Sequence, residues 1–334
     1  MEFNIFESED QVISAAEKLL NESQAPNYQA AFSTLLEDYK QLYKTSKRLL
    51  RFSDRNEEKL KETTQALSLR TTELLASQEK LRQAQAREMA FASEIQMAML
   101  PTGYAVLGEQ SRYEISAILE PAKAVGGDLY DYFLIDPQHL FFVIGDVSGK
   151  GIPAALFMVK AITLLKTVAQ ETALLADIVN TVNQKLWMDN DACMFITLIC
   201  GILDISTGHI QCCNAGHNPP IIKSAVRSYF AEWPTGPSLG LAEQPVFAVS
   251  AFNLAPGESL LLYTDGVTEA FNEAGECFSD ERLLQLFTNN ADFNAKEMTS
   301  LVLKSVKDFV QQATQSDDIT ILSLHHGITG LYDG

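Results

Sequence analysis

The sequence predicts an α+β fold: two antiparallel β-sheets packed as a sandwich flanked by helix pairs (αββα), preceded by a long helical, coiled-coil extension. Three observations carry this expectation. Glycine is absent before Pro101 and proline occurs there once, at Pro26, whereas both recur in turn positions afterwards. Beyond Pro101, short apolar runs follow one another with turn residues between them, as sequential strands do. Helical periodicity in that half is confined to blocks grouped between the strands, which favours an antiparallel sandwich over an alternating parallel sheet.

The elements follow in order. Ser8-Glu9-Asp10-Gln11 reads as a capping box opening a short helix to about Leu20, within an N-terminal segment 1–26. From residue 27 a helical region runs to Leu100. Leucine recurs every seven residues at Leu35, Leu42 and Leu49, then at Leu60, Leu67, Leu74 and Leu81, with Ile95 in phase. The step from Leu49 to Leu60 is a stutter. The facing positions are Thr64, Thr71, Gln78, Gln85, Ala92 and Met99, so the seam is weak. The expectation is a marginal coiled coil joining two copies as a homodimer, with a single long helix as the alternative. Strands are expected at Tyr113–Leu119, Leu129–Ile135, Leu140–Ile144, Phe195–Asp204, His209–Asn214, Ser259–Thr264 and Ile319–Leu324. Helices are expected over 153–169, 174–187 and 295–313. The globular domain spans 101–326, and 327–334 form a tail.

At 334 residues, 46% hydrophobic and 20% charged, the chain holds enough apolar material for a large core. A net charge of −18 argues against nucleic acid or an anionic membrane as partner, and for a basic or metal-bridged one. Five cysteines without CxxC spacing suggest neither zinc nor a disulfide framework, and fit the cytoplasm. The start MEFNIFESED is not a signal peptide, and no apolar run approaches the roughly 18 residues of a membrane span.

Four aspartate sites stand at strand ends beside glycine or small residues. They are Gly126-Gly127-Asp128, Gly145-Asp146-Val147-Ser148-Gly149, Thr264-Asp265-Gly266 and Ser316-Asp317-Asp318. Each alone reads as a turn. Together they need a counter-charge that the few neighbouring basic residues do not supply, and hard divalent cations would supply it. The Gly145–Gly151 loop has the wrong spacing for a phosphate loop, and Ser148 is not in a nucleophile elbow. His217, in Asn214-Ala215-Gly216-His217, reads as part of a tight turn, with a catalytic role as the alternative.

The segments AVGGDLYDYF (124–133), FFVIGDVSGKGIPAALFM (141–158), CNAGHNPP (213–220), LLLYTDGVTEA (260–270) and SDDITIL (316–322) closely resemble the PPM-type (protein phosphatase 2C-like) family. The branch they resemble is the bacterial SpoIIE-like, RsbU-like one, whose preceding helix is matched by Glu94-Ile95-Gln96 and Leu100. The resemblance implies the sandwich fold and a metal-dependent protein serine/threonine phosphatase. It implies two Mn²⁺ or Mg²⁺ ions per site, with a third left open. Asp146 would bridge them, the Val147 carbonyl would complete one shell, and Asp128 and Asp265 would bind directly or through water. In the last motif Asp317 is the implied ligand, with Asp318 a neighbour or the alternative. Asp146 and Asp128 would serve catalysis through metal-held water. Ser148 stands where eukaryotic relatives carry a histidine. The implied substrate is a phosphorylated regulatory protein, such as an anti-sigma-factor antagonist in a partner-switching circuit. A regulatory protein or sensor acting on the helical region would reposition the 94–100 switch helix. The rival reading is a catalytically silent scaffold.

Overall fold

In a computed structural model the described residues are 6–22, 26–101, 103–107, 113–188, 190–224, 226–290 and 293–327. The expected tail from residue 328 lies outside them. The chain divides into two compact units, 1–84 and 85–334. The boundary thus falls at Ala84/Gln85 rather than at Pro101.

The first unit holds α1 (Glu7–Glu22) and most of α2 (Pro26–Ala98). Pro26 opens α2 where its missing N–H has no partner to lose. The expected capping box does not form, because α1 begins at Glu7 and Ser8 lies inside its first turn, bonded to Glu9 Oε2 at 2.7 Å. Phe6 accepts from Asp10 N at 3.0 Å instead, and its ring meets Tyr43 edge-on. Lys40 pairs with Glu17, and Lys47 lies over the rings of Phe6 and Tyr43. The leucines of the seven-residue repeat remain 60–69% exposed along α2. Thr64 and Thr71 bond back to the carbonyls of Leu60 and Leu67, so they are satisfied inside the helix. The expected switch helix, 94–100, falls at the end of α2. Residues 94–98 are the last turn of α2, and Leu100 sits in the turn beyond it.

The second unit is the sandwich. Its elements are β1 (Tyr104–Leu107), β2 (Tyr113–Glu120), β3 (Leu129–Asp136), β4 (His139–Val147), α3 (Ile152–Glu171), α4 (Leu175–Trp187), β5 (Ile196–Asp204), β6 (His209–Ala215), β7 (Ile221–Lys223), β8 (Ser228–Phe230), β9 (Thr235–Gly236), β10 (Val249–Asn253), β11 (Ser259–Tyr263), α5 (Asp265–Thr268), α6 (Asp280–Asn289), α7 (Ala295–Val310) and β12 (Ile319–His326). One sheet runs β1-β2-β12-β11-β7-β8 and the other β10-β6-β5-β4-β3, antiparallel throughout except where β9 joins β6. The seven expected strands are all present, within a few residues at their ends.

Alternation along the strands builds the layers. On β4, Leu140, Phe142 and Ile144 point into the core between the sheets, where Ile115, Leu260, Leu262 and Leu322 meet them. Phe141, Val143 and Val147 point the other way, against Met158, Ile162 and Leu165 of α3 and Val179 of α4. On the far side, Leu261, Tyr263 and Ile321 pack under Leu283 and Phe287 of α6 and Val302 and Val306 of α7. Among the described residues α3 is the one helix long and apolar enough to cross a membrane by composition, contrary to the expectation that no run approaches that length. In this fold its apolar face forms a core layer.

Candidate metal centre

Antiparallel pairing brings the aspartates together. β3 begins just after Asp128 beside the end of β4 that carries Asp146, with Leu129 opposite Gly145. β11 ends just before Thr264-Asp265 beside the start of β12 after Asp317-Asp318, with Tyr263 opposite Ile321. Two sheets packed face to face therefore collect four turns, remote in sequence, at one end of the sandwich.

Asp128 is the innermost, 3% exposed. Its Oδ2 accepts from Thr264 Oγ1 at 2.8 Å and Thr320 Oγ1 at 2.5 Å, both from the opposite sheet. Asp318 is also buried, and its carboxylate accepts from two backbone amides: Ala122 N at 2.8 Å and Gly127 N at 3.0 Å. The glycines permit this. A Cβ on Gly126 would lie 1.9 Å from Asp318 Oδ2, and one on Gly266 would lie 1.9 Å from the Asp318 carbonyl. A Cβ on Gly127 would lie 2.8 Å from the Val147 carbonyl and 3.3 Å from Asp146 Oδ1, so both of these expected ligands face this strip of chain.

Burial, then the charge of Asp265, pushes the Asp146 carboxyl up to about 7, while a hydrogen bond with Asp128 works the other way. Asp128 is raised well above the carboxylate range by burial and by the charge of Asp146. Asp265 is raised by burial and by Asp317. Among the described residues the one cation bonded to the cluster is Lys150, whose Nζ lies 2.7 Å from Asp317 Oδ2.

Does this set fit divalent ions? Its chemistry does: oxygen donors only, buried at Asp128 and Asp318 and partly buried at Asp146, Asp265 and Asp317, crowded so that their own charges oppose ionisation. As the side chains stand, however, no three His, Cys, Asp or Glu groups among the described residues enclose a metal position. The reason is visible in the bonds above. Asp128 and Asp146 face each other, Asp318 is turned to the Ala122 and Gly127 amides, and Asp317 is turned to Lys150.

Gln96 is buried, donating through Nε2 to the Gly126 carbonyl at 2.8 Å and accepting from Gly126 N at 3.2 Å. Leu100 packs partly buried against both sandwich cores, whereas Glu94 and Ile95 point outward. His217 lies in the expected turn, with Asn214 bonding its backbone N and O. Its ring Nδ1 is 3.0 Å from Thr197 Oγ1, Nε2 is buried without a well-formed hydrogen bond, and burial lowers its pKa to about 4. Ser148 Oγ accepts from Phe195 N at 3.0 Å and so ties the loop after β4 to the start of β5.

Sequence reasoning missed Thr264 and Thr320, the hydroxyls that hold Asp128, although each stands within two residues of a singled-out aspartate. It also missed Asp131, 2% exposed at its side chain and paired with Lys166 Nζ of α3 at 2.9 Å. Only its place three residues after Asp128, on the same apolar strand, could have signalled it.

A two-sheet sandwich between helix layers, with a carboxylate-lined end, is the architecture of PPM (PP2C-like) domains. The sequence profile described as Stage II sporulation protein E (SpoIIE) matches residues 136–327, and the chain belongs to that family. It is 32% identical over 266 residues to protein IcfG of Synechocystis sp., covering 71% of this chain and 41% of that one. It is 28% identical over 243 residues to phosphoserine phosphatase RsbU of Bacillus subtilis, covering 72% of this chain and 70% of that one. The chain therefore spans less than half the length of the first relative. Among solved structures, the SiaA-PP2C domain of Pseudomonas aeruginosa superposes with a TM-score of 0.64 at 22% identity, over 73% of this chain and 98% of that domain. The RsbU and RsbW domains of a Mycobacterium tuberculosis protein give 0.56 at 28% identity, over 64% of this chain and 60% of that one.

Proposed function

We propose that this chain is a metal-dependent protein serine/threonine phosphatase. Its substrate would be a phosphoserine or phosphothreonine of a regulatory protein, of the anti-sigma-factor antagonist kind, in a partner-switching circuit of the cytoplasm. The observation that carries the reading is the convergence of four separate aspartate turns at one end of the sandwich, with Asp146 raised by burial and by the charge of Asp265, and Asp128 raised by burial and by the charge of Asp146. Asp128, Asp146, Asp265, Asp317 and the Val147 carbonyl would hold two Mn²⁺ or Mg²⁺ ions, with Asp318 shaping the loop behind them. When bound, such ions supply Lewis-acid activation of water and charge neutralisation at a phosphoryl group. The residues themselves do the positioning. Thr264 and Thr320 fix the rotamer of Asp128 from the opposite sheet, and the amides of Ala122 and Gly127 fix Asp318. No covalent enzyme intermediate is needed, and Ser148 is engaged with Phe195 rather than poised as a nucleophile.

Regulation would enter through α2. Gln96 grips both backbone groups of Gly126, two residues before Asp128, so a shift of the end of α2 would be felt at the first aspartate. The exposed leucine repeat supports a homodimeric coiled coil as the element that moves, under a regulatory protein or sensor bound to the helical region.

The test is Mn²⁺-dependent phosphate release from a phosphoseryl protein. Asp146→Asn should abolish it while circular dichroism stays unchanged, and wild-type rates in that variant would eliminate the mechanism. A partner-binding scaffold without turnover is the second reading, in which the helical region with its exposed leucine repeat binds the partner. It predicts no phosphate release from the wild type at any Mn²⁺ concentration.

A further inference from the structure

The acidic end of the sandwich carries its own cation. Lys150 follows Asp146 in the loop after β4, and its Nζ reaches the loop before β12. There it meets Asp317 Oδ2 at 2.7 Å and donates to the Ser316 carbonyl at 3.1 Å. Its side chain is about half exposed, as is that of Asp317. The other oxygen, Asp317 Oδ1, accepts from Asp318 N at 3.0 Å. Both oxygens are thus engaged, Oδ2 by the ammonium and Oδ1 by the backbone. Lys123 lines the same cleft but is exposed and bonds to none of its carboxylates. The contact with Lys150 is therefore specific to one lysine of two.

An ammonium and a divalent cation compete for the same carboxylate lone pairs, and they repel each other at contact distances. We propose that Lys150 is a tethered counter-cation: it neutralises Asp317 while the site is empty of metal and is displaced when a divalent ion takes that carboxylate. The lysine would set the metal concentration at which the site fills, and would hold the two loops in register until then. Lys150 is a positioning residue in this scheme and touches no substrate. The inference rests on the metal-dependent reading above.

The experiment is calorimetric titration of the full chain with Mn²⁺ alone, for the wild type and for Lys150→Met, Lys150→Arg and Lys123→Met. Because the pair is exposed, Lys150→Met should tighten Mn²⁺ uptake by about 3- to 5-fold, the range of an exposed ion pair. Lys150→Arg, which keeps the charge, and Lys123→Met, which removes an unbonded one, should each stay within about 2-fold. In chelator, Lys150→Met should melt below the wild type, because the loops lose their tie. If Lys150→Met binds Mn²⁺ as the wild type does or more weakly, the displacement idea fails while the phosphatase reading stands. Equal tightening by Lys123→Met would reduce the effect to the general field of the cleft, and the proposal fails again. No Mn²⁺ uptake by the wild type overturns both readings at once.

Discussion

Strand β11 and the long helix α2 treat their leucines in opposite ways. In the sandwich, Leu260, Leu261 and Leu262 of β11 are all fully buried, split between the inter-sheet core and the α6/α7 layer. Along α2, Leu60, Leu67 and Leu74 are 62–69% exposed on a seven-residue repeat. The strand buries its leucines within its own unit, although Leu156 and Leu174 on the helices of that unit are 64–65% exposed. The helix shows its stripe exposed among the described residues, and the proposed second copy would supply the cover.

The sharpest way to break this comparison is a matched truncation. Leu262→Ala removes atoms from a filled core and should cost about 2–5 kcal/mol in denaturant unfolding. Leu67→Ala, measured at high dilution, should stay within about 0.5 kcal/mol. It should instead weaken self-association in sedimentation. Equal costs would mean that the helix is covered by its own chain.

A second prediction concerns the polar interior of the sandwich. His217 is buried and neutral in the fold, with its pKa lowered to about 4. On unfolding it regains an ordinary value near 6.5 and takes up a proton in between. The unfolded state then binds more protons, so stability is full above pH 6.5 and falls as pH drops towards 4. The loss from this group should be about 3 kcal/mol and level off below pH 4. Denaturant midpoints across that window should fall more steeply for the wild type than for His217→Gln.

Next in size is the support of Asp128. Thr320→Val deletes one of its two hydroxyl donors inside the buried site and should cost about 1–3 kcal/mol. The same substitution at Thr71, whose hydroxyl bonds its own helix in solvent, should be nearly silent by thermal melting. Smallest in stability but directed at function is Gln96→Ala. It should lower stability by about 1 kcal/mol and weaken any response to a partner, whereas Glu94→Ala on the outer face should change neither.

Much of this was legible in the sequence because strands with one or two buried faces repeat apolar residues at fixed spacing. Phe141 to Val147 could hardly be anything else. The short elements were not legible. β7 to β10 span two to five residues each and are held by neighbours distant in the chain. α6 offers only Leu283 and Phe287 as fully buried anchors. At the site the aspartates were legible as residue types beside glycine, but their partners were not. Thr264 and Thr320 reach Asp128 across 136 and 192 residues, and Lys150 reaches Asp317 across 167. Such pairings exist only once two sheets have packed. The capping box at Ser8 failed for the opposite reason: a local signal gave way to Phe6, which is anchored on Tyr43.

The most direct test of the central claim is an anomalous-scattering map of crystals soaked in Mn²⁺. The account predicts peaks bounded by Asp146, Asp128 and Asp265, lost in Asp146→Asn crystals of unchanged fold. A map of the wild type with no Mn²⁺ peak at that end of the sandwich would contradict it.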